Sequence, residues 1–214
     1  VGTPCWVMSG DTLRKRATKL QNAMKAAGLS VSAHFAVKSN DHLAVLGIVS
    51  QAGMGADVVS GGELIKARKA GIPASRIVFS GVGKTDAELR LALQEGIAQI
   101  NVESAEELEI LSGVASSMGR EIDVALRVNP DVDAKTHAKI TTGVAGNKFG
   151  IPYDEALDLY RLASGLPGLR PVGYAVHIGS QILTMEPYRA AYARIAELVR
   201  VTRPAGLPVS VVDC

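Results

Sequence analysis

The sequence predicts an α/β protein, a (β/α)8 barrel of the TIM type truncated after about the seventh strand. Short apolar runs alternate with longer amphipathic stretches along the whole chain. Single helices between successive strands imply parallel pairing through crossovers. About seven such units follow one another with no Pro/Ser/Gly-rich boundary between them. A complete eight-unit barrel takes about 250 residues, and this chain has 214. An open doubly wound sheet is the alternative, and the sequence offers no Gly-x-Gly-x-x-Gly turn to support it.

The elements follow in order. Pro4–Met8 reads as an extra strand. Leu13, Ala17, Leu20, Met24 and Ala27 lie on one helix face, so residues 1–30 form a strand and helix leading into the barrel. The barrel domain occupies residues 31–214. Its candidate strands are Val31–Lys38, Gly55–Ser60, Arg76–Ser80, Ala98–Glu103, Asp123–Asn129, Gly173–His177 and Pro208–Asp213. Leu108, Leu111, Ala115 and Met118 form a further helix face. Thr85 with Glu88, and Ser104 with Glu107, have the spacing of a capping box. Gly53, Gly71, Gly96 and Gly119 stand where helices should stop.

Composition narrows the function. Hydrophobic residues make up 47% and charged residues 21%, as in ordinary globular domains. Aromatics are only 4%, so aliphatic side chains and alanine must fill the core. A net charge of +2, with no basic run interleaved with aromatics, argues against a nucleic-acid partner. No apolar run is long enough for a transmembrane helix. The N-terminus lacks the charged and apolar regions of a signal peptide, and the absence of an initiating methionine suggests trimming. Cys5 and Cys214 form neither a disulfide framework nor a metal spacing, which fits a reducing, cytoplasmic setting.

Strand alternation selects the chemical residues. In Val31–Lys38 it places Val31, Phe35 and Val37 on one face and His34, Ala36 and Lys38 on the other. Lys38 then stands at the C-terminal end of a strand, where barrel active sites lie. A desolvated amine there would be nucleophilic, as Schiff-base chemistry requires; the alternative is a lysine reaching solvent beyond the strand. Asp57, inside an apolar strand, needs a cationic partner, either Lys38 or an arginine. Ser60 and Glu63 read equally as site residues or as a helix-initiating cap. Arg127 faces away from Val124, Leu126 and Val128, toward either an anionic ligand or an internal ion pair with Asp57 or Glu103. His177 shares a face with Gly173 and Ala175, two small residues that leave room for a flat ring; a core histidine is the simpler reading. Gly179 and Ser180 make a turn with an amide and a hydroxyl suited to phosphate. Lys148 follows a long loop from Asp131 that could act as a lid. His34, His42 and His137 have no metal spacing and read as surface or loop residues.

Taken together and in order, these segments carry a resemblance. His34-Phe35-Ala36-Val37-Lys38-Ser39-Asn40 resembles the Tyr-Ala-Val-Lys-Ala-Asn segment of the fold-type-III pyridoxal-phosphate decarboxylases, with phenylalanine for tyrosine. Asp57-Val58-Val59-Ser60-Gly61-Gly62-Glu63 looks like the second motif of the diaminopimelate decarboxylase branch; ornithine and arginine relatives usually lack the Gly-Gly pair. Phe79–Lys84, Asn101–Ser104, Leu126–Pro130, Thr136–Gly143, Asn147–Ile151 and His177–Gln181 follow in the family's order, so the resemblance spans nearly the whole chain.

The resemblance implies pyridoxal 5'-phosphate as cofactor, carried on Lys38. It implies His177 stacked on the cofactor ring, Ser180 at its phosphate and Arg127 near its phenolic oxygen. Asp57 and Glu63 would support the lysine and cofactor environment. The implied reaction is decarboxylation of meso-2,6-diaminopimelate to L-lysine by a homodimer. Two alternatives stay open: a relative acting on ornithine, arginine or carboxynorspermidine, and a non-catalytic homologue that binds a partner decarboxylase. Beyond Cys214 the family continues into a Gly-rich phosphate loop, a Glu-Pro-Gly-Arg segment and a β-rich C-terminal domain with Cys-Glu and Tyr elements. This chain is therefore expected to lack that domain and to be inactive alone.

Overall fold

A computed structural model describes residues 2–132 and 149–214. The chain divides into two compact units, one ending at Phe79 and the other running from Ser80 to Cys214. Among the described residues, no helix is long and apolar enough to cross a membrane.

The first unit opens with helix α1 (Gly10–Ala26), started by the Ser9 hydroxyl accepting from Thr12 N–H. The expected stripe is present, but its residues are at most half-buried. Three parallel strands follow: β1 (His34–Ala36), β2 (Gly55–Val58) and β3 (Ile77–Phe79). Helices α2 (Leu43–Gln51) and α3 (Gly61–Lys69) make the crossovers. Val37, Leu46, Ala56, Val58, Leu64, Ile72, Ile77 and Phe79 are fully buried.

The second unit contains α4 (Asp86–Glu95), β4 (Gln99–Val102), α5 (Ala105–Met118) and β5 (Ile122–Asn129). The two-residue β6 (Ile151–Pro152) is followed by α6 (Ala156–Gly165), β7 (Leu169–Ala175), α7 (Glu186–Thr202) and β8 (Val211–Asp213). Its sheet runs β4–β5–β7–β8, all parallel, with β6 appended to β5. Most of the core is aliphatic, as the low aromatic content requires. Tyr160 and Tyr174 are the exceptions. Both are fully buried, with ring centroids 5.1 Å apart at 49°, a tilted packing that adds to plain burial. The Tyr174 hydroxyl lies 2.7 Å from Thr202 Oγ1, and Tyr160 donates to the Pro208 carbonyl.

The punctuation follows the expected chemistry. Thr85 and Glu88 form a reciprocal capping box on α4, and α4 and α5 end on left-handed Gly96 and Gly119. Four expectations change. Pro4–Met8 forms no strand; it is exposed throughout, with Trp6 entirely in solvent. The first barrel strand is His34–Ala36 rather than Val31–Lys38. Asn40 N–H donates to Val37 O (2.9 Å) and the Ser39 hydroxyl to Ala36 O (2.7 Å), closing a 3-10 turn over Val37–Ser39 that withdraws Lys38 from the ladder. The strand expected at Gly173–His177 instead covers Leu169–Ala175. Pro171 looks like a breaker, yet it sits beside a register shift where Val172 is passed over between Pro171 and Gly173; bulges are where strands tolerate proline. His34 is not a loop residue. It lies half-buried on β1 with its ring edge over Gly55, where a Cβ would come within 2.3 Å of His34 Cδ2.

Candidate active site

Each unit presents chemical residues at the C-terminal ends of its own strands. In the first, Lys38 is exposed on the 3-10 turn that follows β1. Val37 beside it is fully buried, so the turn anchors its backbone and leaves the amine outside. Asp57 lies half-buried on β2, opposite Ala36 in register. Glu63 sits in the first turn of α3. Its N–H donates to Ser60 Oγ (3.2 Å), and its Oε2 accepts from Val59 N–H (2.8 Å). Of the two readings left open for Ser60 and Glu63, the observed contacts are those of a helix-initiating cap. His42 also caps, its Nδ1 accepting from Ala44 N–H at the start of α2.

In the second unit, Arg127 is buried near the end of β5 and donates to Glu103 Oε1 at 2.6 Å. Of the two internal partners considered, Glu103 is the one this pairing uses. The guanidinium also lies over the Phe149 ring, 5.8 Å from its centroid, within reach of a cation–π attraction. His177 is exposed just beyond β7, and Tyr174 points to the helices, so Gly173 and Ala175 take the opposite face. Gly173 has a different purpose from the one expected. A Cβ there would lie 1.8 Å from Val211 O, so its smallness admits the β8 backbone rather than a ligand ring. Ser180 is exposed in a turn flanked by Gly179 (φ 130°) and Gln181 (φ 59°). Lys148, His137 and the expected lid loop from residue 133 onward lie outside the described residues.

Sequence reasoning missed a buried polar layer in this unit. Gln99, Asn101 and Glu103 alternate with Ile100 and Val102, and all three polar side chains are buried. Gln99 Nε2 donates to Asn101 Oδ1 (2.7 Å), while Asn101 Nδ2 donates to Ser80 Oγ (3.0 Å) and Asp213 Oδ2 (2.7 Å). The strict polar–apolar alternation from Ala98 to Glu103 was the available signal. Lys84, with a side chain only 1% exposed, was also missed. Its ammonium donates to Gly81 O (2.7 Å), Asn101 O (2.7 Å) and Glu107 Oε1 (2.6 Å).

In each unit, then, polar groups gather at strand C-terminal ends, where barrel active sites lie: an amine in the first, and a guanidinium, an imidazole and a hydroxyl-bearing turn in the second. The comparisons name the class. The family described as "Pyridoxal-dependent decarboxylase, pyridoxal binding domain" matches residues 11–214. The chain belongs to that family, and pyridoxal phosphate is the cofactor of its domain. It is 49% identical to the diaminopimelate decarboxylase of Zymomonas mobilis over 213 residues, covering 99% of this chain and 51% of that protein. The Aquifex aeolicus diaminopimelate decarboxylase is 42% identical over 99% of the chain and 50% of its own length. Among solved structures, Helicobacter pylori diaminopimelate decarboxylase complexed with L-lysine superposes with a TM-score of 0.95 at 38% identity, covering 99% of this chain and 53% of that one. The fold class is thus the α/β barrel expected from the sequence. The chain spans about half the length of the curated relatives it matches.

Proposed function

We propose that the full-length protein carrying this chain decarboxylates meso-2,6-diaminopimelate to L-lysine with pyridoxal 5'-phosphate. Near-complete coverage of this chain by proteins named diaminopimelate decarboxylase carries the reading. The solved relatives that hold L-lysine, the expected product, support it at 33% to 38% identity. In this reading residues 1–30 lead into the barrel, residues 31–214 are its cofactor-binding part, and a C-terminal β domain lies beyond. The protein works as a cytoplasmic homodimer.

The residues present suit the cofactor. Its aldehyde needs an accessible amine, and Lys38 is exposed on a turn anchored by buried Val37. Its phosphate needs donors, and Ser180 offers a hydroxyl on a turn bent by Gly179 and Gln181. Its phenolic oxygen is served by Arg127, a cation already partnered by Glu103. His177, exposed at the end of β7, offers a flat face to the ring. Asp57 and Glu63 support the lysine and cofactor surroundings, Glu63 by fixing the backbone at Val59.

When bound, the cofactor supplies the electron sink that accepts the pair left as carbon dioxide departs. The protein's part is positioning. Lys38 holds and returns a proton at Nζ. Arg127, held by Glu103, would offer its guanidinium to the ring oxygen without reorganising. His177 would help to orient the ring.

Two measurements test the proposal on the full-length protein. Incubation with meso-diaminopimelate, ornithine and arginine should give carbon dioxide and L-lysine from the first and little product from the others. Borohydride reduction followed by peptide mapping should place the pyridoxyl group on Lys38. A label on another lysine would remove Lys38 from its role, and faster turnover of ornithine or arginine would move the protein to another branch of the family.

A further inference from the structure

Arg127 does not stand alone. Its partner Glu103 lies one residue beyond the Val102–Leu126 pairing of β4 with β5, and its side chain is 5% exposed. The backbone of Glu103 is itself fixed. Its N–H donates to Glu107 Oε2 at 3.0 Å, and the other oxygen of that carboxylate takes the buried Lys84 ammonium at 2.6 Å. Glu107 N–H donates to Ser104 Oγ at 3.2 Å. Lys84–Glu107 and Glu103–Arg127 are therefore two ion pairs joined through the Glu103 N–H, running from the loop before α4, through the start of α5, to the end of β5. Glu103 spends one oxygen on the arginine, and Oε2 is buried without a hydrogen-bond partner among the described residues. A buried carboxylate kept half-satisfied costs stability. A residue retained only to neutralise Arg127 would not need that arrangement.

We propose that Glu103 is a positioning residue for the decarboxylation reaction: it aims and charge-balances Arg127 at the cofactor's phenolic oxygen, and the Lys84–Glu107 pair fixes it from below. The inference rests on the cofactor reading given above. With Glu103 in place the guanidinium is locally neutralised, so the electron demand at the ring oxygen is moderated. Without it, Arg127 presents a full positive charge on a side chain no longer held in place.

The test uses the visible absorbance of the full-length holoprotein as a function of pH, together with the dissociation constant for pyridoxal phosphate. Glu103→Gln keeps the shape and removes the charge. It should lower the pH midpoint of the cofactor band by about one unit, because an added net positive charge nearby disfavours a second proton. Arg127→Met should move the midpoint the opposite way. The double variant should lie close to wild type. Glu107→Gln, which reaches Arg127 only through the Glu103 backbone, should weaken cofactor binding and lower the midpoint less than Glu103→Gln.

The possible failures are distinguishable. If Arg127→Met leaves the band unmoved, the cofactor role of Arg127 is wrong and the inference falls with it. If Arg127→Met moves the band but Glu103→Gln does not, the cofactor reading stands and the positioning role is overturned. Should Glu103→Gln not accumulate as folded protein, Glu103→Asp is read instead. It keeps the charge and shortens the reach, so it should lower cofactor affinity and the midpoint modestly; wild-type values in both would overturn the proposal.

Discussion

Replacing Gly173 by alanine separates two accounts of why a glycine stands there. If it leaves room for a cofactor ring, a methyl group should cost binding and little stability. The β7–β8 geometry says otherwise. The new Cβ would lie 1.8 Å from Val211 O, 2.7 Å from its carbonyl carbon and 3.3 Å from its Cα, all backbone atoms that cannot rotate away. Relief requires the two strands to part by roughly 1.5 Å, an overpacking cost of about 1–3 kcal/mol. The flanking ladder bonds, Ser210 N–H to Val172 O (2.8 Å) and Val176 N–H to Asp213 O (2.9 Å), would stretch past useful length. Each is worth about 1 kcal/mol, so the expected loss is about 3–5 kcal/mol. Equilibrium urea denaturation of the full-length protein, wild type beside Gly173→Ala, measures it. Cofactor affinity is then compared under conditions where both proteins are folded. An unchanged urea midpoint with lost cofactor affinity would refute the strand-approach argument and restore the ring-room reading.

Other substitutions probe the same unit by different means. Lys84→Met leaves two carbonyls and the Glu107 carboxylate short of a donor in a nearly dry site, so a loss of about 3–5 kcal/mol is expected in denaturation experiments. Thr85→Ala removes the reciprocal cap of α4 and should cost about 1 kcal/mol, visible as a lowered melting temperature with the cofactor spectrum unchanged. Burial raises the phenol pKa values of Tyr160 and Tyr174 above the ordinary 10.0. Because the folded state disfavours the ionised phenols, their stabilisation is complete below about pH 10 and is lost as pH rises beyond it. Near-ultraviolet titration should show these two phenols ionising only as the protein unfolds; ionisation in the folded state would contradict the burial argument.

The pattern of strands and helices was legible where helices carry a marked start, as α3, α4 and α5 do. Ser60, Thr85 and Ser104 all accept from the N–H of the glutamate three residues on. Errors fell where tertiary pairing overrules local appearance. Pro171 reads as a breaker until a bulge accommodates it, and Val31 looks like strand but lies before the first pairing with β2. Pro4–Met8 has the composition of a strand, but among the described residues it makes no ladder. Lys38, Arg127 and His177 stand out as candidates because a charge or imidazole in or after an apolar run is conspicuous. Lys84 does not, because a lysine after Gly83 looks like a solvated loop residue. Only the fold reveals three acceptors converging on its ammonium.

The same local device recurs at α3 and α5, and the two helices use it differently. In each, a serine caps the helix and the glutamate three residues on turns its carboxylate back to the N–H just before the cap: Glu63 to Val59 and Glu107 to Glu103. Both contacts fix the last backbone amide leaving a strand, so a capping motif doubles as a clamp on strand-end geometry. At α3 the clamped residue is apolar, and the glutamate itself was the residue nominated for the site. At α5 the clamped residue is the carboxylate that holds Arg127, and the clamping glutamate is charge-balanced by Lys84. A cap is normally worth about 1 kcal/mol, too little to require a buried lysine beneath it. The expense at α5 makes sense when the angle of the arginine matters as well as the stability of the helix, so Glu107→Gln is expected to shift the cofactor spectrum as well as the melting curve.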